Sequence, residues 1–254
     1  MASDTTSALL ARKTVGATAA AVLLLLAGCA VDGTVTRMKT ATADATVTEA
    51  VTAVEIADGR HGSVEVTPGT GPGVTIHRTV HFRGDTAPTP TQRVSGGVLT
   101  FTAGCADSCY TDYRLEVPAS AKVTVGNSSG RIQVTGVAAA ELTSDSGDVR
   151  ARRIAGPLKI RTSSGTITAE ALSGPEADVR SDSGDARLAF VTAPASVSAV
   201  TTSGDLTLLV PRAPYRLDAS TRSGDRDVTV PLTPDAPSRL RLETTSGDIE
   251  AALS

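Results

Sequence analysis

Residues 143–151 read TSDSGDVRA, and the same short pattern occurs in six other places in the C-terminal half of the chain. The other six segments, aligned on glycine, are GNSSGRIQV (126–134), RTSSGTITA (161–169), RSDSGDARL (180–188), VTTSGDLTL (200–208), STRSGDRDV (220–228) and ETTSGDIEA (243–251). The aligned glycines are Gly130, Gly147, Gly165, Gly184, Gly204, Gly224 and Gly247, spaced 17 to 23 residues apart. The C-terminal half is therefore an internal repeat.

Apolar and polar residues alternate on both sides of each repeated glycine. The residue four positions after the glycine is apolar in all seven repeats, and the residue two positions after it is apolar except for Arg226. The residues five and seven positions before the glycine are also apolar, with a polar residue between them. This period of two is typical of strands with one buried face, and glycine allows a tight corner. Each repeat is predicted to be two short strands joined by a Ser-Gly corner.

A unit of 17–23 residues cannot bury its own apolar face, whereas a stack of such units can. The repeat therefore predicts an all-β fold, a β-solenoid similar to a parallel β-helix, with about seven short rungs over residues 121–254. A β-sandwich of hairpins is the alternative. It explains the alternation but not the same residue type at corresponding positions. Because the last repeat ends three residues before Ser254, we also expect an uncapped C-terminal rung.

Residues 51–120 are predicted to form a β-strand region that precedes the solenoid. The stretch VTIHRTVHF (74–82) places four apolar residues on one face, interrupted by Arg78, and His77, Thr79 and His81 on the other. His77 and His81 would be about 13 Å apart at ~3.3 Å per residue, which is too far for one metal ion. These two residues and His61 are predicted to be surface histidines.

The N-terminus has the features of a targeting segment. Arg12 and Lys13 precede an apolar run over residues 15–27, which is shorter than the roughly 20 residues of a membrane span. The run leads into Leu26-Ala27-Gly28-Cys29, which resembles the lipobox of bacterial lipoproteins. The resemblance implies a lipoprotein signal peptide over residues 1–28, lipidation of Cys29, and anchoring to the outer face of the bacterial cytoplasmic membrane or the cell surface. An ordinary secretion signal is the alternative.

Residues 29–50 are rich in Thr and Ala and are predicted to be a flexible tether. Beyond Cys29 the remaining cysteines are Cys105 and Cys109, in the sequence CADSC. An exported chain favours a disulfide between them, since a zinc site would need more ligands nearby. Removing Asp4, Arg12 and Lys13 with the signal peptide leaves 22 basic and 26 acidic residues. This negative balance argues against nucleic acid as a partner.

An aspartate follows the repeated glycine in five repeats, and Arg131 and Thr166 stand at this position in the other two. The aspartates are Asp148, Asp185, Asp205, Asp225 and Asp248. They are predicted to bond local backbone N–H groups at the turn, and a column of calcium ions is the alternative. The Ser and Thr residues before each glycine, with Arg161, Arg180 and Arg222, are expected to form a polar strip. This strip is either a solvated face or a groove for a glycan.

Residues 110–250 resemble the bacterial "putative adhesin" family, through SGDV (146–149), SGDI (246–249) and DYRLEVP (112–118). The resemblance implies a repetitive β fold at the cell surface and supplies no catalytic residues. The sequence contains no HExxH or phosphate-loop motif.

We therefore expect a lipid-anchored, adhesin-like binding or scaffold protein without catalytic activity. No cofactor is expected, with calcium as the alternative, and its partner would be an envelope glycan or another surface protein. One alternative is a sensor or assembly subunit that pairs through its uncapped C-terminal rung. The other is a glycan-active enzyme on a β-solenoid.

Overall fold

The computed structural model describes residues 37–57, 61–102 and 109–254, whose regular structure is made of β-strands. In this part of the chain there is no helix long and apolar enough to cross a membrane. The predicted signal peptide, Cys29 and Cys105 lie outside the described residues. Lipidation of Cys29 and the bond between Cys105 and Cys109 therefore stay predictions.

The N-terminal region adds strands to both sheets of the fold. Its strands are β1 (Lys39–Thr42), β2 (Ala45–Val47), β3 (Ala53–Ile56), β4 (Val64–Pro68), β5 (Val74–Phe82), β6 (Thr91–Ser95), β7 (Val98–Thr102) and β8 (Cys109–Val117). β1 and β2 pair antiparallel with β5. The predicted flexible tether over residues 29–50 is therefore wrong for residues 39–47. Thr and Ala alternate there, and Thr fits well in a half-buried strand.

Each repeat supplies one strand before its Ser-Gly corner and one after it. The first strands are β9 (Lys122–Ser129), β11 (Ala139–Ser146), β13 (Leu158–Ser164), β15 (Glu176–Ser183), β17 (Ser196–Ser203), β19 (Tyr215–Ser223) and β21 (Ser238–Ser246). The second strands are β10 (Ile132–Thr135), β12 (Val149–Arg152), β14 (Ile167–Leu172), β16 (Ala186–Phe190), β18 (Leu206–Val210), β20 (Arg226–Val228) and β22 (Ile249–Leu253).

All first strands of the repeats lie in one 10-stranded sheet, here sheet I, and all second strands lie in a 12-stranded sheet, here sheet II. Neighbouring rungs pair in parallel with corresponding residues opposite each other, so that Leu142 faces Val125 on one side and Ile160 on the other. Consecutive strands thus belong to different sheets, which excludes a sandwich of hairpins. The predicted β-solenoid is confirmed.

The same two sheets continue into the N-terminal region. β3 pairs in parallel with β9 in sheet I, and β4 pairs in parallel with β10 in sheet II. One apolar core between the sheets includes residues from Val51 to Ala251. Its side chains are mostly Val, Leu, Ile and Ala, and the sequence contains no Trp.

The order of the rungs in space differs from their order in the sequence. β21 pairs with β17 on one side and with β19 on the other, and β22 lies between β18 and β20. The seventh repeat is therefore inserted between the fifth and the sixth, and the sixth repeat forms the end of the stack. The prediction of an uncapped C-terminal rung is wrong, because strands occupy both edges of the last repeat.

The residues of the sixth repeat match its position at the end. Leu217, Ala219 and Val228 are only partly buried, whereas their counterparts in the other repeats are at most 4% exposed. Arg226, the one exception to the apolar pattern, is exposed and donates a hydrogen bond from Nη1 to the carbonyl oxygen of Ala219 at 3.0 Å. A charged residue is tolerated at this position because no further rung covers it.

Residues 229–237 pass over part of this end rung. The backbone N–H of Tyr215 donates to the oxygen of Pro231 at 3.1 Å, and the N–H of Thr233 donates to the oxygen of Tyr215 at 2.9 Å. Val230 is 5% exposed. Proline has no N–H, so the segment does not offer a regular strand edge. At this end of the stack, an assembly contact through a sheet edge would therefore use the remainder of β19 or β20.

Candidate functional site

The Ser-Gly corners stack on one another and leave no room for a side chain. All seven corner glycines have φ between +109° and +148°. A Cβ atom on Gly204 would lie 2.4 Å from the carbonyl oxygen of Gly184, and the other corners show equivalent contacts of 2.1 to 2.5 Å. Both the backbone conformation and the close approach therefore require glycine.

The turn aspartates link neighbouring rungs through the backbone. Asp185 Oδ1 accepts the N–H of Asp205 at 2.9 Å, and Asp205 Oδ1 accepts the N–H of Asp248 at 2.8 Å. Asp248 Oδ1 accepts the N–H of Asp225 at 2.8 Å, and Asp148 Oδ1 accepts the N–H of Thr166 at 3.3 Å. Each bond joins adjacent rungs, so the aspartates have a structural role at the corner.

The binding of calcium ions by the turn aspartates stays a prediction. The described residues contain no group of three or more His, Cys, Asp and Glu side chains that could hold a metal ion. One carboxylate oxygen of each of four turn aspartates accepts a backbone N–H.

We expect Asp205→Ala to lower the free energy of unfolding by about 1 kcal/mol, because the N–H of Asp248 loses its acceptor. Asp205→Asn keeps an acceptor and removes one of several neighbouring like charges, so its stability should equal or exceed that of the native chain. Urea denaturation followed by circular dichroism measures both changes.

Asp225→Ala is the matched control, since Asp225 stands at the same corner position on the end rung and its carboxylate accepts no hydrogen bond from the described residues. A loss in Asp225→Ala as large as in Asp205→Ala would contradict the role of the bond. The same measurement with calcium and with EDTA tests the calcium column, which requires stabilisation by calcium in the native chain and less in Asp205→Asn.

The polar strip before the glycines is only partly exposed. The residue three positions before each glycine faces inward, and in order of sequence these residues are Asn127, Ser144, Thr162, Ser181, Thr201, Thr221 and Thr244. Several bond corner carbonyls, as in Thr244 Oγ1 to Gly204 at 3.2 Å. The expectation that all these hydroxyls line one outer edge is wrong, because side chains alternate between the two faces of a strand.

Charged side chains on the outer face of sheet I are paired from rung to rung. Glu141 accepts a hydrogen bond from Lys159 at 2.6 Å and lies 3.8 Å from Lys122. The hydrogen bond from Lys159 is the main cause that lowers the pKa of Glu141. Arg161 lies 3.5 Å from Asp178 on the next rung. Exposed pairs of this kind contribute at most about 1 kcal/mol each.

The strongest candidate for a binding site lies on the outer face of sheet II at the N-terminal end. A cavity of about 390 Å³ crosses β5, β8, β4 and β10. Its lining residues are Ser63, Val64, Glu65, His77, Thr79, Asp112, Tyr113, Arg114, Arg131 and Gln133. Topology brings these strands side by side, although they come from separate parts of the sequence.

Some polar groups of this cavity are bonded to one another. Asp112 accepts hydrogen bonds from His81 Nε2 at 2.8 Å and from the N–H of Ser63 at 2.7 Å. His81 also stacks on Tyr110, with ring centroids 4.4 Å apart. Arg114 lies 3.4 Å from Glu65. These contacts hold the floor of the cavity in place.

Other polar side chains of the cavity are available for hydrogen bonds to a ligand. Among the described residues, no hydrogen bond or ion pair engages the side chains of Thr79, Arg131 and Gln133. Arg131 is one of the two residues that replace the turn aspartate, so the break in the repeat pattern coincides with the cavity. The cavity can therefore offer a positive charge and neutral hydrogen-bonding groups to a polar ligand.

The predicted site residues do not all meet in one place. The corner glycines and aspartates run along one edge of the solenoid, while His77 and His81 lie over the N-terminal strands. A hydrogen bond of 2.7 Å joins His61 Nδ1 and Ser129 Oγ at the first corner. Cys109 is 5% exposed at the start of β8. Sequence reasoning missed the cavity, and its one local signal was Arg131 at a position where Asp predominates.

Two stacked sheets, in which the strands of the repeats pair in parallel and are joined by Ser-Gly corners, define a β-solenoid with two strands per rung. A family model described as Toastrack DUF4097 matches residues 93–254, and the chain belongs to this family.

A solved structure of a "putative adhesin" from Bacteroides fragilis is similar, with a TM-score of 0.55 and 12% identity over 85% of this chain and 97% of that one. A "putative adhesin" from Parabacteroides distasonis gives a TM-score of 0.49 and 15% identity over 84% of this chain and 97% of that one. None of the curated proteins matches the chain. At this identity the Bacteroides fragilis structure supports the fold alone.

Proposed function

We propose that the chain is a lipid-anchored binding or scaffold module on the outer face of the bacterial membrane, and that it does not catalyse a reaction. The observation that carries the proposal is the polar cavity over β5, β8, β4 and β10, with the unengaged side chains of Arg131, Gln133 and Thr79. Similarity to structures called putative adhesins is consistent with a surface role.

A lipid anchor at Cys29 would lie close to the polar cavity. Nine residues lie between Cys29 and Lys39 at the start of β1, and the ten Cα–Cα steps that join these two residues span at most about 36 Å when fully extended. The N-terminal end of the solenoid, which carries the cavity, would then stay near the lipid anchor. A ligand of the cavity would accordingly be an envelope component close to the membrane.

The cavity favours a polar polymer with acidic groups as ligand. Arg131 offers a guanidinium that can bind a carboxylate or phosphate through two hydrogen bonds. Gln133 and Thr79 can donate to or accept from hydroxyl groups. An envelope glycan with acidic substituents satisfies all three groups.

The test uses the mature lipidated protein in detergent, incubated with separated envelope fractions and sedimented. We expect retention on one fraction, no soluble fragments released from it, and a loss of affinity of at least about tenfold in Arg131→Gln, in keeping with about 1.5 kcal/mol for one charged hydrogen bond. Arg150→Gln is the matched control. Arg150 is exposed on the same sheet face, opposite Gln133, and outside the cavity.

Equal losses in the two variants would contradict the assignment of the site. Retention on no fraction would contradict a binding role towards the envelope polymers. Soluble fragments released by the native protein would overturn the proposal that it is not an enzyme, and the same assay on His81→Ala would show whether the pair of His81 and Asp112 takes part.

A further inference from the structure

Two arginines lie side by side on the outer face of sheet I, near the end of the stack. Arg239 on β21 stands opposite Ser196 of β17 on one side and opposite Arg216 of β19 on the other. All three residues are exposed. Neighbouring strands are about 4.8 Å apart, and like charges directly opposite each other destabilise a sheet. The arginine pair is therefore unfavourable unless an anion lies beside it.

Elsewhere on this face, neighbouring arginines have carboxylate partners. Arg161 and Arg180 also stand opposite each other on adjacent strands. Asp178 lies 3.5 Å from Arg161 and 3.4 Å from Arg180, so one carboxylate serves both charges. Arg241 donates two hydrogen bonds to Glu243, at 2.8 and 2.7 Å. The usual arrangement on sheet I is thus an arginine held by a carboxylate of the same chain.

Arg216 and Arg239 lack a partner of this kind. Within the described ranges, no hydrogen bond or ion pair engages either guanidinium. Asp218 stands opposite Arg241. The hydrogen bond to Glu243 raises the pKa of Arg241, and the charge of Asp218 adds to this effect. The nearby carboxylates therefore act on Arg241, and all the N–H donors of the arginine pair are available to a ligand.

A cavity of about 390 Å³ opens over the arginine pair. Its lining residues are Ser196, Val197, Ser198, Arg216, Asp218, Arg239, Leu240 and Arg241. At about 30 Å³ for each water molecule in the liquid, this volume has room for a phosphate group and several attached carbon atoms. The hydroxyl groups of Ser196 and Ser198 can donate further hydrogen bonds to such a group.

We propose that this cavity binds the phosphate group of a phosphate ester. Each guanidinium offers a fork of N–H donors, and one fork suffices for a carboxylate. A phosphate group has enough oxygens to accept hydrogen bonds from both arginines and from Ser196. The site lies on the other sheet from the polar cavity and at the other end of the stack, so it does not depend on the function proposed for that cavity. Phosphate esters occur in lipid headgroups and in envelope polymers, and the experiment distinguishes these two sources.

The experiment uses the mature chain with Cys29→Ser, which keeps the whole described structure and carries no lipid. Calorimetry measures the affinity for glycerol phosphate, with acetate at equal ionic strength and glycerol as controls. We expect millimolar binding of glycerol phosphate, binding of acetate at least about tenfold weaker, and no binding of glycerol. The NMR signals of the Nε–H groups of Arg216 and Arg239 should shift during the titration.

Substitutions at exposed positions separate the site from general attraction to surface charge. Arg239→Gln should lower the affinity at least about tenfold, and Arg239→Lys about threefold, since lysine keeps the charge but not the fork. Arg222→Gln is the matched control and should bind normally, because Arg222 is exposed on the same strand about 20 Å from Arg216. Asp218→Asn removes a negative charge from the cavity wall and should strengthen binding about threefold.

Vesicles identify the source of the phosphate. The same protein is sedimented with vesicles of phosphatidylcholine alone and with vesicles that also contain phosphatidic acid. Retention on the second kind only, lost in Arg239→Gln, would assign the site to a lipid headgroup. Binding of glycerol phosphate without retention on either kind would assign it to a soluble or polymeric phosphate ester.

Several results would overturn the proposal. Acetate binding as tightly as glycerol phosphate would contradict the choice of phosphate. An unchanged affinity in Arg239→Gln, an equal loss in Arg222→Gln, or weaker binding in Asp218→Asn would contradict the site. If Arg239→Gln fails to fold, Asp218→Asn and the Nε–H signals of the chain with native arginines still decide the question. Arg131→Gln should leave this binding unchanged, which separates the two proposed sites.

Discussion

Deletion of residues 238–254 is expected to unfold the sixth repeat along with the loss of the seventh. β19 pairs with β21 alone among the named strands, and β20 pairs with β22 alone. Leu240, Leu242 and Ile249 are at most 2% exposed, and each such side chain contributes about 1.5–3 kcal/mol of burial free energy. We expect the free energy of unfolding to fall by several kcal/mol.

Hydrogen exchange followed by mass spectrometry measures the effect directly. In the truncated chain, the backbone of residues 215–228 should lose its protection, while β9 to β16 should keep most of theirs. Protection of residues 215–228 without the last repeat would contradict the inserted arrangement.

A second deletion provides a matched control. Removal of residues 211–232 takes out the end rung and leaves the five residues 233–237 between β18 and β21, the same length as residues 191–195 between β16 and β17. We expect this shorter chain to fold, with β21 and β22 as its end. The control removes more residues than the truncation and should cost less stability.

Gly204→Ala should be the most damaging single substitution among these tests, with a loss of about 3 kcal/mol or more. Gly204 has φ of +138°, and the added Cβ would lie 2.4 Å from the carbonyl oxygen of Gly184. That oxygen belongs to the stacked backbone and cannot move aside as a side chain would. Urea denaturation measures the change.

Gly71→Ala is the control for this substitution. Gly71 has no atoms within 4 Å of the position of a Cβ, and its φ lies outside the left-handed region. Its stability should change by no more than about 0.5 kcal/mol. Comparable losses at the two positions would show that the stacked corner is not the cause.

The rungs could be predicted because each one repeats the same local pattern. Alternation fixed which residues face the core, and Leu142, Ile160 and Ala251 are all buried as expected. The order of the rungs could not be predicted in this way, since every repeat offers the same register to any neighbour. Two features of the sequence indicated the end rung. One was Arg226, and the other was the spacing of 23 residues between Gly224 and Gly247, which provides the length for residues 229–237 to pass over the end rung.

The candidate sites were harder to predict from the sequence than the fold was. The polar cavity combines His77, Asp112, Glu65 and Gln133 from four strands, and their proximity depends on the order β5–β8–β4–β10. Periodicity assigns a residue to a face but does not choose the neighbouring strand. Arg216 and Arg239 come from different repeats, and their proximity depends on the stacking of the sixth repeat on the seventh.

The inserted last repeat also determines when the molecule can finish folding. A chain that leaves the ribosome or an export channel with its N-terminus first can stack the rungs up to β18 in the order of their synthesis. Residues 215–228 then emerge without a partner and must wait until the final strand, Ile249–Leu253, is free. Completion of the end of the stack thus requires that the chain has been delivered as far as Leu253, and a chain that stops before β21 remains open to proteases at that end.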